Sequence, residues 1–368
     1  MCHSGLYIHI PFCDGKCAYC NFFSIHSDNQ AIEEYTDHLI RSAFTWGKKI
    51  NRSFDTVYFG GGTPSLLGHE RLIRILNAVK QAFSVADNAE ITVEVNPSST
   101  EPLDFSAMKS AGFNRLSIGL QSANENELAI LGRRHSVDDA RRTVLEAQQA
   151  GFDNISLDVM LAIPKQTPES LHHTLDFCAE CKVQHISAYI LKIEPGTRFY
   201  RNKDSLPFFD DDAQAAIYED AVSYLNRLGY QQYEISNFSL PGYESRHNLK
   251  YWHDEEYLGI GPSAHSFIDG KRFYYDNSFE GFYDGRIIDE GCGGDEEEYI
   301  MLALRLKEGL VFNEYEKRFG KKVSDKMLTA AERLASSGLV KICPSSLSLT
   351  VKGFLVSNSV IAYLLQNT

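Results

Sequence analysis

The sequence predicts an α/β protein made of repeated strand–helix units, and three observations carry that reading. Between residues 6 and 191, short apolar runs alternate with helix-length amphipathic segments. The chemically unusual residues fall at the ends of those runs, where the loops of parallel strands converge on one face. Beyond Leu191 the rhythm breaks, first into a mixed segment and then into a helix-rich one.

The strand candidates are residues 6–10, 56–59, 90–95, 115–120, 154–160 and 185–191, with helices expected near 31–50, 70–83, 102–111, 137–150 and 168–181. A (β/α)6 partial barrel and an open doubly wound sheet both give this rhythm, and periodicity does not choose between them. Glu194-Pro195-Gly196-Thr197 then reads as a turn, a polar helix is expected at 211–228, and 233–267 mixes short strands with a loop rich in aromatic and polar residues. The glycine-rich stretch 291–294 and the acidic run after it mark a boundary. Helices near 296–307, 312–319 and 322–337, two strands around 341–349 and a final helix follow in an order that resembles a winged helix. From Asp295 onward ten Lys or Arg face nine Asp or Glu, a balance that favours packing or partner docking over DNA binding. The expected units are thus a core (1–195), an α+β extension (196–294) and a winged-helix-like C-terminal domain (295–368).

A chain of 368 residues, 43% hydrophobic, can bury a large core. It has no apolar run of membrane-spanning length and no secretory leader pattern, so a cytoplasmic location is expected, with room for a peripheral contact at the inner face of a membrane. Eight cysteines, three of them clustered, suit a reducing compartment better than a disulfide scaffold. A net charge of −13 argues against a general nucleic-acid binder.

The stretch YIHIPFCDGKCAYCNFFS, residues 7–24, sets Cys13, Cys17 and Cys20 in a C-x3-C-x2-C spacing directly after the first strand. Three thiolates this close can hold three irons of a [4Fe-4S] cluster and leave the fourth open to a small molecule. No disulfide pairing satisfies all three, and a four-thiolate zinc site needs another cysteine. The plain alternative is three buried cysteines. Cys178 and Cys181 read as helix-end packing residues, and Cys2, Cys292 and Cys343 stand alone, Cys2 lying near enough to the cluster strand to reach a ligand.

With Tyr19 just before the third cysteine, the spacing resembles the radical S-adenosylmethionine (SAM) superfamily, and YIHIPFC narrows the likeness to its coproporphyrinogen III oxidase-like branch. The resemblance implies the partial (β/α)6 barrel. It also implies that the open iron chelates the amino and carboxylate groups of SAM, and that an electron from the cluster cleaves the sulfonium to a 5′-deoxyadenosyl radical. Gly60-Gly61-Gly62-Thr63 resembles the superfamily's glycine motif, so Gly61, Gly62 and Thr63 are expected to bind SAM, their backbone N–H groups being able to hold a carboxylate. Glu94, in an otherwise apolar strand, must leave the core or find donors, and the resemblance makes it a SAM contact, as it does Tyr7 and Tyr19 beside the cluster. Gln121, Arg133 and Asp158 match further family positions; closing a turn, pairing with an acid and capping a segment are their ordinary alternatives. One departure stands out. Many members read Asp, two apolar residues, then Tyr-Gly-Leu-Pro, whereas this chain has Asp158-Val159-Met160-Leu161-Ala162-Ile163-Pro164.

His247, in HNLKYW, offers an imidazole for a heme iron, and Tyr251 and Trp252 offer flat faces for a porphyrin. The string resembles the H-N-x-x-Y-W signature of the heme chaperones of the HemW type. The oxidases of the branch carry a fourth cysteine two residues after the third, where this chain has Phe22. They also carry an extension of several dozen residues before the cluster, where it has twelve residues before Cys13. The resemblance therefore implies a heme chaperone binding a [4Fe-4S] cluster, SAM and heme. Its implied partners are an electron donor and heme-accepting apoproteins, respiratory membrane proteins among them. The alternative is an oxygen-independent coproporphyrinogen III oxidase.

Overall fold

Six parallel strands stand side by side in chain order: β1 (Ser4–Ile10), β2 (Ser53–Gly61), β3 (Ser84–Val95), β4 (Arg115–Gln121), β5 (Ile155–Leu161) and β6 (His185–Ile190). They belong to a computed structural model that describes residues 3–26, 28–97 and 103–368. Their order decides what periodicity left open. A doubly wound sheet reverses direction at a switch point, whereas strands laid down consecutively by right-handed crossovers send every connecting helix to the same face. The result is the partial barrel, with one face covered by helices and the other left concave.

The covered face forms because strand and helix patterns agree. Leu6, Ile8, Val57, Phe59, Val93, Leu116, Ile118 and Leu157 point outward and are fully buried. Opposite them lie the apolar stripes of the helices, such as Tyr35, Leu39 and Ala43 of Asn29–Lys49 and Leu72, Ile75 and Val79 of Gly68–Ala82. Each large side chain buried this way stabilises the fold by about 1.5–3 kcal/mol. The helix ends are set locally. Asp28 caps Asn29–Lys49 by accepting from Ala31 N, and capping boxes start Val137–Gln149 at Ser136 and Pro168–Glu180 at Thr167.

Both edges of the barrel are extended by later chain. β8 (Asn237–Ser239) adds antiparallel to β6, and β7 (Gln231–Gln232) adds antiparallel to β8. On the far side β9 (Tyr257–Ile260) runs parallel to β1, followed by β10 (His265–Ile268), β11 (Lys271–Tyr275) and β12 (Ile287–Cys292). One sheet of twelve strands results among the described residues. The C-terminal part runs helix Glu296–Ala303, β13 (Leu310–Val311), helices Phe312–Phe319 and Asp325–Ser336, then β14 (Val340–Cys343) and β15 (Ser346–Leu349) in a sheet ordered β13-β15-β14. That is the element order of a winged helix.

Several boundaries differ from expectation. The helix placed at 102–111 is Phe105–Ala111, capped by Asp104; residues 98–102, like Cys2, lie outside the described residues. A short helix, Glu125–Leu131, was hidden by its length and starts at the Asn124 cap. The loop expected around His247 contains the helix Arg246–Trp252, whose start is fixed by Ser245 accepting from Asn248 N. The final helix is two, Val351–Leu355 and Ser357–Leu365, broken at Val356. Cys178 is buried and Cys181 caps its helix, as packing residues do. Among the described residues no helix is long and apolar enough to cross a membrane.

The C-terminal part is fastened to the body through Asp254, whose side chain is fully buried and takes Arg272 Nη2 at 3.0 Å and Arg318 Nη2 at 2.5 Å. Removing the carboxylate leaves two half-buried guanidinium groups facing each other. Asp254→Ala is therefore expected to lower stability by about 2 kcal/mol, less than the roughly 3–5 kcal/mol of a fully buried pair because both arginines touch solvent. The check is the urea unfolding midpoint, with Asp254→Asn expected between the two.

Candidate functional site

The concave face is lined by the alternate residues of each strand, and they are polar. In register across the sheet, Tyr7 meets Tyr58, Tyr58 meets Thr92, Thr92 meets Arg115, Glu94 meets Ser117, Ser117 meets Ser156, and Asp158 meets Ser187. Barrels of this kind usually fill their interior with branched apolar side chains. A polar lining is costly to bury unless its groups are paired or meet a ligand. Many are paired: Ser117 Oγ donates to Asp158 at 3.1 Å, Ser156 Oγ lies 2.7 Å from His185 Nδ1, and Tyr58 OH donates to Glu94 Oε1 at 2.9 Å. The buried Thr92 Oγ1 and Arg115 Nε have no hydrogen-bond partner. The face is thus a chamber with unused donors and acceptors.

At the C-terminal mouth of the chamber sits the cysteine loop. It is pinned from three sides: Cys13 N donates to Ile25 O, Ala18 N to Leu131 O, and Phe199 N to Ala18 O, each at 2.9 Å. Beneath it Ala18, Leu131, Met160, Ile163, Leu191 and Phe199 form a small separate apolar cluster, and Tyr19 packs against it. Cys13, Cys17 and Cys20 are free thiols. The Thr63 hydroxyl approaches Cys13 Sγ at 3.8 Å and Arg133 Nη1 approaches Cys17 Sγ at 3.5 Å. Burial raises the Cys20 thiol, and the neighbouring Cys17 and Cys13 sulfurs raise it further. Three thiolates gathered here repel one another unless a cationic group lies among them, so the donor set fits an iron cluster. Among the described residues no three His, Cys, Asp or Glu side chains gather closely enough to hold a single ion.

Next to the thiols, the glycine run is a set of close approaches. Gly61 has φ +119, and a Cβ there would meet the His9 ring at 2.7 Å; one at Gly62 would meet Phe12 O at 2.5 Å. Gly62 N donates to Ile10 O and Gly61 N donates to Glu94 Oε2 at 3.1 Å. Glu94 is pushed up to about 7, first by burial and then by Asp158 across the chamber, against the pull of Tyr58 and Gly61. Burial likewise raises Asp158, which Ser187 and Ser117 partly offset. Arg133 bridges the strand ends, donating from Nη2 to Asn96 Oδ1 and to Gly119 O. Gln121, ending β4, holds φ +69, a left-handed conformation rare outside glycine. Strain of this kind, about 1–2 kcal/mol, collects at ligand sites. Ala162 adopts φ +61 at the end of β5, so the turn that many family members build with glycine persists here with a Cβ. The mouth thus gathers Tyr19, Gly61, Gly62, Thr63, Gln121 and Arg133 with the cysteines, and Tyr7, Glu94 and Asp158 line the chamber below it.

His247 is elsewhere. It lies under the opposite end of the barrel, 1% exposed, on a helix whose first N–H groups, Arg246 N and His247 N, donate to Glu90 of β3. Lys250 ties the same helix to Asp55 at 2.9 Å. Both ring nitrogens are engaged, Nδ1 with Thr56 Oγ1 and Nε2 with Tyr251 OH, each at 2.8 Å. Burial, then Lys250 and Arg115, depress the imidazole to about 3, so it is neutral at physiological pH. Neutral imidazole is the form that ligates iron, but here no lone pair is free.

Sequence reasoning missed Tyr58, Arg115, Ser117, Ser187 and Glu234. For the strand residues the signal was there: Thr56-Tyr58, Thr92-Glu94, Arg115-Ser117 and Ser156-Asp158 recur at every second position, the period of a strand with two unlike faces. Glu234 carried no such signal, because only the fold brings its segment alongside β6.

Comparison with known proteins adds the following. The Radical SAM superfamily model matches residues 7–178 and the HemN C-terminal domain model residues 296–356. The heme chaperone HemW of Bacillus subtilis (strain 168) is 34% identical over 367 residues, covering 96% of this chain and 97% of its own. That of Escherichia coli (strain K12) is 35% identical over 373 residues, covering 97% of each. A solved structure described as "Coproporphyrinogen III oxidase (HemN) from Escherichia coli is a Radical SAM enzyme" superposes with a TM-score of 0.84 at 23% identity, covering 99% of this chain and 90% of that one, a likeness of fold.

Glu94 gives the mouth a pH dependence. Its carboxylate forms as pH rises through about 7, and only that form attracts a cationic ligand. Affinity of the mouth for a cationic ligand, probed with a sulfonium compound, is therefore expected to rise toward a plateau above about pH 7, by up to tenfold per unit below it. Equilibrium dialysis of the reconstituted protein across that range checks it, and Glu94→Gln is expected to remove this share of the rise.

Proposed function

The chain belongs to the radical SAM superfamily and, within it, to the HemW family; on that premise we propose that it is a heme chaperone, taking up heme and passing it to acceptor apoproteins. The observation that carries the reading is the polar chamber closed at its mouth by three free thiols, in a chain alike to HemW proteins over nearly its whole length. Cys13, Cys17 and Cys20 would hold a [4Fe-4S] cluster. Bound there with SAM, the cluster supplies one-electron chemistry at an open iron.

The chain's own residues then have separable tasks. Gly61 and Gly62, whose N–H groups are already given to Glu94 and Ile10, offer SAM a close backbone approach rather than donors, Thr63 offers its hydroxyl, and Glu94 and Asp158 bring negative charge toward its cationic centre. Gln121 and Arg133 order the strand ends, while Tyr7 and Tyr19 flank the seat. His247 is the proposed heme ligand. In the arrangement described, it must exchange Tyr251 or Thr56 for iron, so heme uptake includes a local opening of the barrel floor. Acceptors among respiratory membrane proteins, reached by a peripheral contact from the cytoplasm, are part of the same proposal.

A second reading is favoured by the fold alone: an oxygen-independent coproporphyrinogen III oxidase, since a protein of that description superposes over most of its length. One anaerobic experiment separates them. The protein reconstituted with iron and sulfide is expected to gain visible iron–sulfur absorption that Cys17→Ala lacks, and to bind heme with a Soret band that His247→Ala weakens about tenfold or more. Coproporphyrinogen III is expected to remain unchanged when SAM and a reductant are added. Formation of protoporphyrinogen would sink the chaperone reading, and an unaltered Soret titration would remove His247 as the ligand.

A further inference from the structure

The mouth and the floor of the barrel are joined by one half-buried ring. Tyr58 reaches up to the SAM seat through its hydroxyl, which donates to Glu94 Oε1 at 2.9 Å, while Glu94 Oε2 accepts from Gly61 N at 3.1 Å. Its ring reaches down to His247, with centroids 5.1 Å apart and planes within 22°. Tyr7 stacks on the same ring at 6.2 Å. The packing is tight at both ends. A Cβ at Gly60 would meet Tyr58 at 2.8 Å, Glu94 at 3.0 Å and Tyr7 at 3.1 Å, and one at Gly5 would meet Thr56 at 3.1 Å and His247 at 3.2 Å. Side chains packed this closely do not shift one at a time. The helix that carries His247 is held by Glu90 and Asp55 as well, so freeing the imidazole calls for rearranging its ring neighbours rather than the backbone.

We propose that Tyr58 couples the two ends of the barrel: a ligand that takes up Glu94 at the SAM seat withdraws the acceptor of the Tyr58 hydroxyl, and the ring's readjustment loosens His247 from Thr56 and Tyr251. Tyr58 is a positioning residue here, since it acts through Glu94 and His247. The inference rests on the proposed SAM seat and the proposed heme ligand, and gives a physical route by which SAM governs heme uptake and release.

The test reads His247 directly and needs no heme. Carbethoxylation of His247 by diethyl pyrocarbonate, followed by peptide mass spectrometry, is measured on the anaerobically reconstituted full chain with and without SAM. In the wild type SAM is expected to speed modification at least about fivefold, the low end of ordinary coupling between two sites. Tyr58→Phe keeps the ring and its packing but loses the hydroxyl, and is expected to bring the ratio to about one while still binding SAM. Gly60→Ala, which wedges Tyr58, Glu94 and Tyr7 apart, is expected to speed modification without SAM. The coupling is overturned if SAM leaves His247 reactivity unchanged in the wild type, or changes it equally in Tyr58→Phe. Failure of heme ligation shows separately, as an unaltered Soret titration of His247→Ala, and does not touch this readout.

Discussion

The structure depends on the alternation along its six parallel strands. Each sends apolar side chains outward to the helices and polar ones inward, so the same hydrogen-bonded ladder that builds the core also lines a chamber. A strand has no freedom to do one without the other, because its side-chain period is two and a slip of one residue would exchange the faces. Thr92, fully buried and facing in, and Val93, fully buried and facing out, are neighbours in sequence and belong to different environments. The polar lining is tolerated because most of its members pair across the sheet, and it is useful because some do not.

The two ends of that chamber carry different kinds of order. The mouth is assembled from loops after successive strands, and its strain shows in the backbone: Gly61, Gln121 and Ala162 all hold positive φ there. Such conformations persist only where the surroundings over-determine them, and here the surroundings are the small apolar cluster under Ala18 and the bonds of Arg133. The floor is made from a single helix laid across the strand starts and secured by Glu90, Thr56 and Asp55. Between them lie Tyr7, Tyr58 and Glu94, so what binds at the mouth and what is held at the floor share neighbours. In a HemW-family chain, whose relatives are named for handling heme, that continuity joins the cysteine mouth to the floor that holds His247.

Much of the barrel was legible before any coordinates. The strands, the cysteine loop and the glycine run were marked by local patterns, and the structure gathers those residues at one mouth because parallel strands place all their C-terminal loops on one face. The extension was less legible. Its strands are short, β7 and β8 having two and three residues, and they form only because β6 and β1 present unpaired edges to them. The helix Arg246–Trp252 was read as loop since seven residues with two aromatic rings at its end show no helical stripe, and its start is fixed by contacts to β3 far away in sequence.

By itself, then, the sequence determined the strand and helix rhythm, the trio of sulfurs and the apolar surfaces that must be hidden, since these follow from local spacing and from what water rejects. Only the tertiary structure decided that the sheet curls in consecutive order, that the polar faces of the strands turn inward onto one chamber, and that His247 sits beneath it with both nitrogens taken. Those facts depend on which distant segments meet. A histidine's chemistry is set by the partners the fold brings to it, and no spacing along the chain records that Thr56 and Tyr251 arrive on either side of the same ring.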